Sequence, residues 1–231
     1  SVASFIGKHF AAQIAICPPY LYMRDMMTFL QFSELQIGSQ NLSRYESGAY
    51  TGETSAQMLK EAGCSLCLIG HSERREYHGE TDAVVNAKAR AALAAEMTPI
   101  VCVGEGLEVR QAGEQVPFTL AQVEGSLAGL SAEQVGGLVI AYEPVWAIGT
   151  GEVATPDDAQ EVCGAIRERV REVWGDAAAD AVRIQYGGSV KAANVAGIME
   201  KPDIDGCLVG GASLQADEFG GICRFYEMPT I

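Results

Sequence analysis

Seven short apolar runs, each followed by a longer amphipathic stretch, order this chain of 231 residues. The runs are Gln13 to Cys17, Leu35 to Gly38, Leu66 to Ile69, Pro99 to Val103, Leu138 to Tyr142, Val182 to Gln185 and Gly206 to Val209. Strand-length runs alternating with helix-length segments predict repeated βα units around a parallel sheet. No linker, low-complexity stretch or change of composition divides the succession. One α/β domain over residues 1–231 is therefore expected.

Helix ends support the alternation. A helix is predicted from Ser55 to Ala62 with Thr54 as cap, and another from Asp82 to Glu96 after Thr81. From Pro156 to Trp174 the signals are fuller: Thr155 caps, Pro156 takes the first helical position, and Asp157 and Asp158 complement the N-terminal dipole. Asp217 to Tyr226 closes the chain with an apolar face of Phe219, Ile222, Cys223 and Tyr226.

Glycines cluster just after the strand candidates, at Gly70, Gly104, Gly149, Gly187, Gly188, Gly210 and Gly211. In a closed barrel all these loops meet on the face where strand C-termini emerge, the face that carries active sites. An open doubly wound sheet is the rival, but the glycine-rich fingerprint after an early strand is absent from the sequence.

Composition excludes several partners. A formal charge of -14 leaves no basic stripe to displace counterions, so neither nucleic acid nor an anionic membrane surface is expected as a partner. No apolar run reaches the length of a membrane span, and Ser1 to Lys8 does not have the pattern of a signal peptide. Seven cysteines, an odd number mostly inside apolar segments, point to reduced thiols and a cytoplasmic location. Cys64 and Cys67 have redox or metal spacing, but no second pair or histidine follows at zinc-site spacing, and packed thiols are the expectation.

Two segments carry the chemistry. Glu143 ends an apolar run and is followed by Pro144, which restrains the loop exit; a carboxylate held there can serve as a general base. The next residues, Val145 to Gly151, are apolar where a surface loop is normally polar and end in glycines, as a water-excluding lid does. His71 lies between a strand and a helix start, where the backbone field disfavours imidazolium and a neutral ring can donate a hydrogen bond. His9 and His78, in polar helix-flanking contexts, are assigned no role.

Tyr186-Gly187-Gly188-Ser189 and Val209-Gly210-Gly211-Ala212 follow the last two strands. Paired glycines let backbone N–H groups approach an anion, and a serine hydroxyl adds a donor. Either pair alone also suits a tight turn. Two pairs after consecutive final strands describe the phosphate site recurrent in barrel enzymes.

Taken in order, the segments from Gly70 to Arg75, Ala141 to Gly151, Gln185 to Val190 and Asp205 to Leu214 resemble the triosephosphate isomerase family of bacterial type. Ser39 to Asn41 and Ser47 to Glu53 are similar to the family's interface loop. The resemblance, from about Gln13 to Phe225, implies a TIM (β/α)8 barrel. It also implies a homodimer formed through the loop Asn41 to Glu53, and a glycolytic and gluconeogenic isomerase needing no cofactor and no metal. Its substrates would be dihydroxyacetone phosphate and D-glyceraldehyde 3-phosphate, joined by an enediolate.

The site roles that follow are the family's, carried over by position. Glu143 corresponds to the base that moves the proton and His71 to the neutral electrophile. Gly149, Ser189, Gly210 and Gly211 correspond to phosphate-binding positions, and Ser72, Glu73 and Cys102 to supporting ones. The family pattern also opens on a first strand with an Asn-x-Lys segment whose lysine contacts substrate and whose acidic partner Glu73 resembles. No such segment occurs here, and Ser1 to Lys8 is similar to the tail of the first helix. With seven strand candidates instead of eight, the sequence is expected to lack the front strand. Glu152 stands where a lysine is common at the lid's second hinge. Two alternatives accompany the isomerase: a truncated, inactive barrel that keeps phosphate binding or partner association, and a barrel enzyme acting on another phosphate compound.

Overall fold

In a computed structural model, the structure describes residues 12–148 and 152–227. Ser1 to Lys8 and Gly149 lie outside the described residues. Seven strands form one sheet: β1 (Ala15–Ile16), β2 (Gln36–Ser39), β3 (Leu66–Ile69), β4 (Thr98–Val103), β5 (Val139–Tyr142), β6 (Arg183–Tyr186) and β7 (Gly206–Cys207). Every neighbouring pair is parallel, and the spatial order is the sequence order. A doubly wound sheet requires an order that reverses at a switch point. This one never reverses, which removes the open-sheet rival.

Strand alternation separates two apolar layers. Leu66, Leu68, Ile100, Cys102, Val139 and Ala141 pack together on the concave side. Their neighbours Cys67, Ile69, Val101, Val103, Ile140 and Tyr142 face the helices, meeting Val85, Ala89, Val123, Leu127, Val162 and Ile166. Strands buried on both faces are apolar throughout, which is why they read as continuous runs. At the period of two, the position after Ala141 on the concave side is residue 143.

Among the described residues β1 and β7 are the edges, with two residues each. The sheet curls until Arg183 of β6 donates from Nη1 to Oε1 of Gln13, just ahead of β1, at 2.5 Å. A cavity of about 1890 Å³ runs along this side, lined from both edges. Its size exceeds a small-ligand pocket of roughly 300–1,000 Å³ because it merges with the interval between β1 and β7.

The helices begin as their residues dictate. Ser131 and Gln134 form a capping box ahead of Ala132–Gly136, and Thr155 and Asp158 form one ahead of Pro156–Trp174. The cap of Ala56–Glu61 is Ser55, not Thr54, because the Ser55 side chain accepts from the Met58 N–H. The final helix is shorter than its pattern, Ala216–Cys223, and Tyr226 falls in a separate 3-10 turn, Phe225–Glu227.

Candidate active site

His71 and Glu143 come from the loops after β3 and β5, at the C-terminal end of the sheet. Gly70 follows β3 with φ 66°, a left-handed turn that glycine adopts without strain. The chain then enters the helix Ser72–His78 with His71 as its N-cap residue. Glu143 follows β5, and its backbone N–H continues the ladder by donating to the Val103 carbonyl at 2.7 Å. Its side chain, 2% exposed, reaches His71: Oε1 lies 2.8 Å from Nε2. Oε2 accepts from the Ser72 N–H at 2.9 Å. Both carboxylate oxygens are thus held at the start of one helix, where the backbone dipole favours negative charge.

The imidazole is fixed from its other side. Nδ1 accepts from the Glu73 N–H at 3.3 Å, which leaves Nε2 to carry the proton that faces Glu143. Burial pushes the His71 pKa down, but the hydrogen bond and charge of Glu143 outweigh it, and the net direction is up. The resting pair therefore works against the helix field that the sequence places behind His71. The backbone N–H aimed at Nδ1 assigns the neutral ring, since a protonated Nδ1 would turn its own hydrogen towards that donor.

The other expected residues divide. Ser189, Gly210 and Gly211 line the same cavity as His71 and Glu143. Among the described residues, a Cβ at Gly210 or Gly211 would meet no atom within 4 Å beyond its chain neighbours, so the space beside them is open. Ser72 contributes its backbone N–H. The Glu73 side chain is 72% exposed, with its carboxylate 3.9 Å from Nδ1 of His71. Cys102 is fully buried in the concave layer, and burial raises its thiol pKa far above the ordinary range. Its carbonyl accepts from Arg75, which also grips the Gly70 carbonyl and Asp82. Arg75 bolts the turn before His71 to the end of β4.

Three groups escaped the sequence. Glu105, with no exposure, accepts from the Tyr142 hydroxyl at 3.0 Å and the Trp146 indole at 2.9 Å. Its signal was a glutamate between two glycines directly after a buried strand. Burial raises its pKa despite those two donors. Oε1 of Gln122 accepts from the Gly104 N–H at 2.7 Å. Lys88 reaches Glu80 at 2.5 Å and Asn41 at 2.6 Å beneath the loop after β2. Nothing local marks the last two, because Gly104 lies 18 residues from Gln122 and Asn41 lies 47 residues from Lys88.

A family model described as triosephosphate isomerase matches residues 1–226. The chain belongs to the triosephosphate isomerase family. Triosephosphate isomerase of Cutibacterium acnes is 56% identical over 218 residues, covering 94% of this chain and 84% of that protein. That of Streptomyces avermitilis is 57% identical over 219 residues, covering 94% and 85%. Among solved structures, triosephosphate isomerase from Bartonella henselae superposes with a TM-score of 0.87 at 39% identity, covering 98% of this chain and 90% of that one. The curled seven-stranded sheet is therefore a barrel of the triosephosphate isomerase type.

Proposed function

We propose that this protein interconverts dihydroxyacetone phosphate and D-glyceraldehyde 3-phosphate, with Glu143 as the base and His71 as the electrophile. Family membership supports the reaction, and the 2.8 Å approach of Nε2 to Oε1 at the barrel mouth supports the roles. Relatives named as isomerases align over 84% and 85% of their own length, which favours catalysis over an inactive phosphate-binding barrel.

In the proposed reaction the substrate carbonyl enters between the two side chains. The Nε2–H that faces Glu143 at rest turns to the carbonyl oxygen, polarising the bond. Glu143 then takes the proton from the carbon next to the carbonyl, giving an enediolate, and returns it to the former carbonyl carbon, while Nε2 of His71 gives a proton to the former carbonyl oxygen and takes the hydroxyl proton from the other oxygen, which becomes the new carbonyl. A base whose two oxygens face N–H groups, in a nearly buried setting, starts close to its task. The Ser189 hydroxyl and backbone N–H groups at Gly210 and Gly211 are assigned to the phosphate, together with Gly149.

We assign the loop from Asn41 to Glu53 to a homodimer contact. In it Tyr45 and Tyr50 stack at 3.9 Å, with Tyr50 43% exposed, offering a rigid apolar surface. Small triose phosphates are the proposed substrates and the cytoplasm the proposed location. Among the described residues no helix is long and apolar enough to cross a membrane.

The deciding experiment is a coupled isomerase assay on the protein as its gene encodes it, beside Glu143→Asp and His71→Gln. Shortening the base by one methylene withdraws it by roughly 1 Å, and about a hundredfold or greater loss of kcat is expected. Equal rates for the wild type and Glu143→Asp would overturn the assignment. Binding of phosphoglycolate without turnover would favour the inactive barrel.

A further inference from the structure

The peptide unit between Val103 and Gly104 has both of its polar ends engaged. Its carbonyl accepts from the Glu143 N–H at 2.7 Å. Its N–H, on the opposite side of the same plane, donates to Oε1 of Gln122 at 2.7 Å. Gln122 is half-buried on the helix Gln115–Leu127, which packs against β4. Gly104 has φ +155°, and a Cβ there would stand 1.8 Å from the Glu143 carbonyl oxygen and 2.6 Å from its carbon. The Gly104 backbone therefore lies close against the backbone of Glu143, with no room for a side chain between them.

We propose that Gln122 is a positioning residue for the base, acting through this peptide; the proposal rests on the assignment of Glu143 above. A peptide flanked by glycine has little steric resistance to rotation. The site also needs glycine, since any side chain would collide with the backbone of Glu143. Rotation would turn the Val103 carbonyl away and free the N–H of the residue that carries the carboxylate. Gln122 supplies the missing restraint by satisfying the N–H at the other end of the unit. Two bonds on one peptide also polarise each other, so loss of the Gln122 acceptor weakens the bond to Glu143 as well. The carboxylate sits only three rotatable side-chain bonds from that backbone, and a shift of about 1 Å at the base is large on a catalytic scale.

The test compares Gln122→Leu, which removes the acceptor at similar volume, with Gln122→Glu, which restores one. In Gln122→Leu, kcat should fall about tenfold or more while KM stays within about twofold, because placement of the base matters to proton transfer more than to phosphate binding. Gln122→Glu should stay within about threefold of the wild type. A packing role predicts the reverse order, with leucine tolerated and the buried charge harmful. Hydrogen exchange at the Glu143 amide provides a readout independent of turnover and should quicken in Gln122→Leu alone. An unchanged kcat in Gln122→Leu, or unchanged Glu143 exchange, overturns the proposal. A wild type without turnover refutes the proposed function, and the exchange result then decides the positioning role by itself.

Discussion

Nε2 of His71 and Oε1 of Glu143 are 2.8 Å apart, so the two groups assigned to the chemistry are each other's partners at rest. A substrate carbonyl must displace this bond to reach either one. The contact also explains why the His71 pKa is raised although burial alone would lower it.

That pairing makes the titration of His71 dependent on ligand. A residue with a raised folded-state pKa adds stability that is fully present below its ordinary value near 6.5 and lost as pH rises through the raised one. In Glu143→Gln this increment should vanish, leaving a flatter stability curve above pH 6.5. Urea melts across pH, with the His71 ring followed by NMR, measure both quantities. An unaltered His71 titration in the variant would contradict the pairing.

Glu80 and Lys88, both nearly buried, should be costly to separate. Oε1 of Glu80 is shared by Lys88 Nζ at 2.5 Å and Arg74 Nε at 2.6 Å. Burial raises the Glu80 pKa, but the two cations outweigh it and hold it below its ordinary value of 4.5. Burial also draws the Lys88 pKa down, yet with two cations on one oxygen the charged carboxylate is the form this arrangement favours. Removing one cation from such a buried pair costs about 3–5 kcal/mol, the loss expected for Lys88→Met in denaturant unfolding. The wild type should hold this contribution above pH 4.5 and lose it as pH falls through the depressed pKa, with a smaller change in Lys88→Met.

Glu105 receives two donors on one oxygen, and leucine there would take away the acceptor that the Tyr142 hydroxyl and the Trp146 indole N–H share. Each unsatisfied buried group costs about 1–3 kcal/mol. Glu105→Leu should accordingly melt well below the wild type, while Glu105→Gln, which keeps a carbonyl acceptor, should lose less. Calorimetry of the two variants checks the order.

The proposed dimer loop gives a fourth expectation. Tyr50→Asp would place a charge on the exposed face of the Tyr45–Tyr50 stack. Sedimentation should show a shift towards monomer at concentrations where the wild type is paired. Unchanged association would remove this loop from the contact.

Much of the architecture is local in origin. Leu66 to Ile69 appears as a strand with the bounds its apolar run predicts, and Pro156–Trp174 as a helix with the bounds set by its caps. Short edge strands fared differently: Gln13 to Cys17 contributes only Ala15–Ile16, and Gly206 to Val209 only Gly206–Cys207. A strand is defined by its partner, and among the described residues each of these has one neighbour. Helices such as Met23–Leu30 and Val195–Met199, with weak caps, gave no comparable end signal.

The site follows the same division. His71, Glu143 and the paired glycines announce themselves by residue type and by position after apolar runs, and their ordered segments carry the resemblance to the family. What those residues touch required the folded chain. The 2.8 Å contact joins residues on two strand ends that are not neighbours in the sheet, and Gln122 reaches Gly104 from a helix. Periodicity and capping are properties of neighbouring residues, so the sequence by itself determines strands, helices and the candidate acid and base. Hydrogen bonds between distant loops depend on strand register and sheet curvature, and only the tertiary structure decides that Glu143 meets His71 and that Gln122 fixes the peptide behind it.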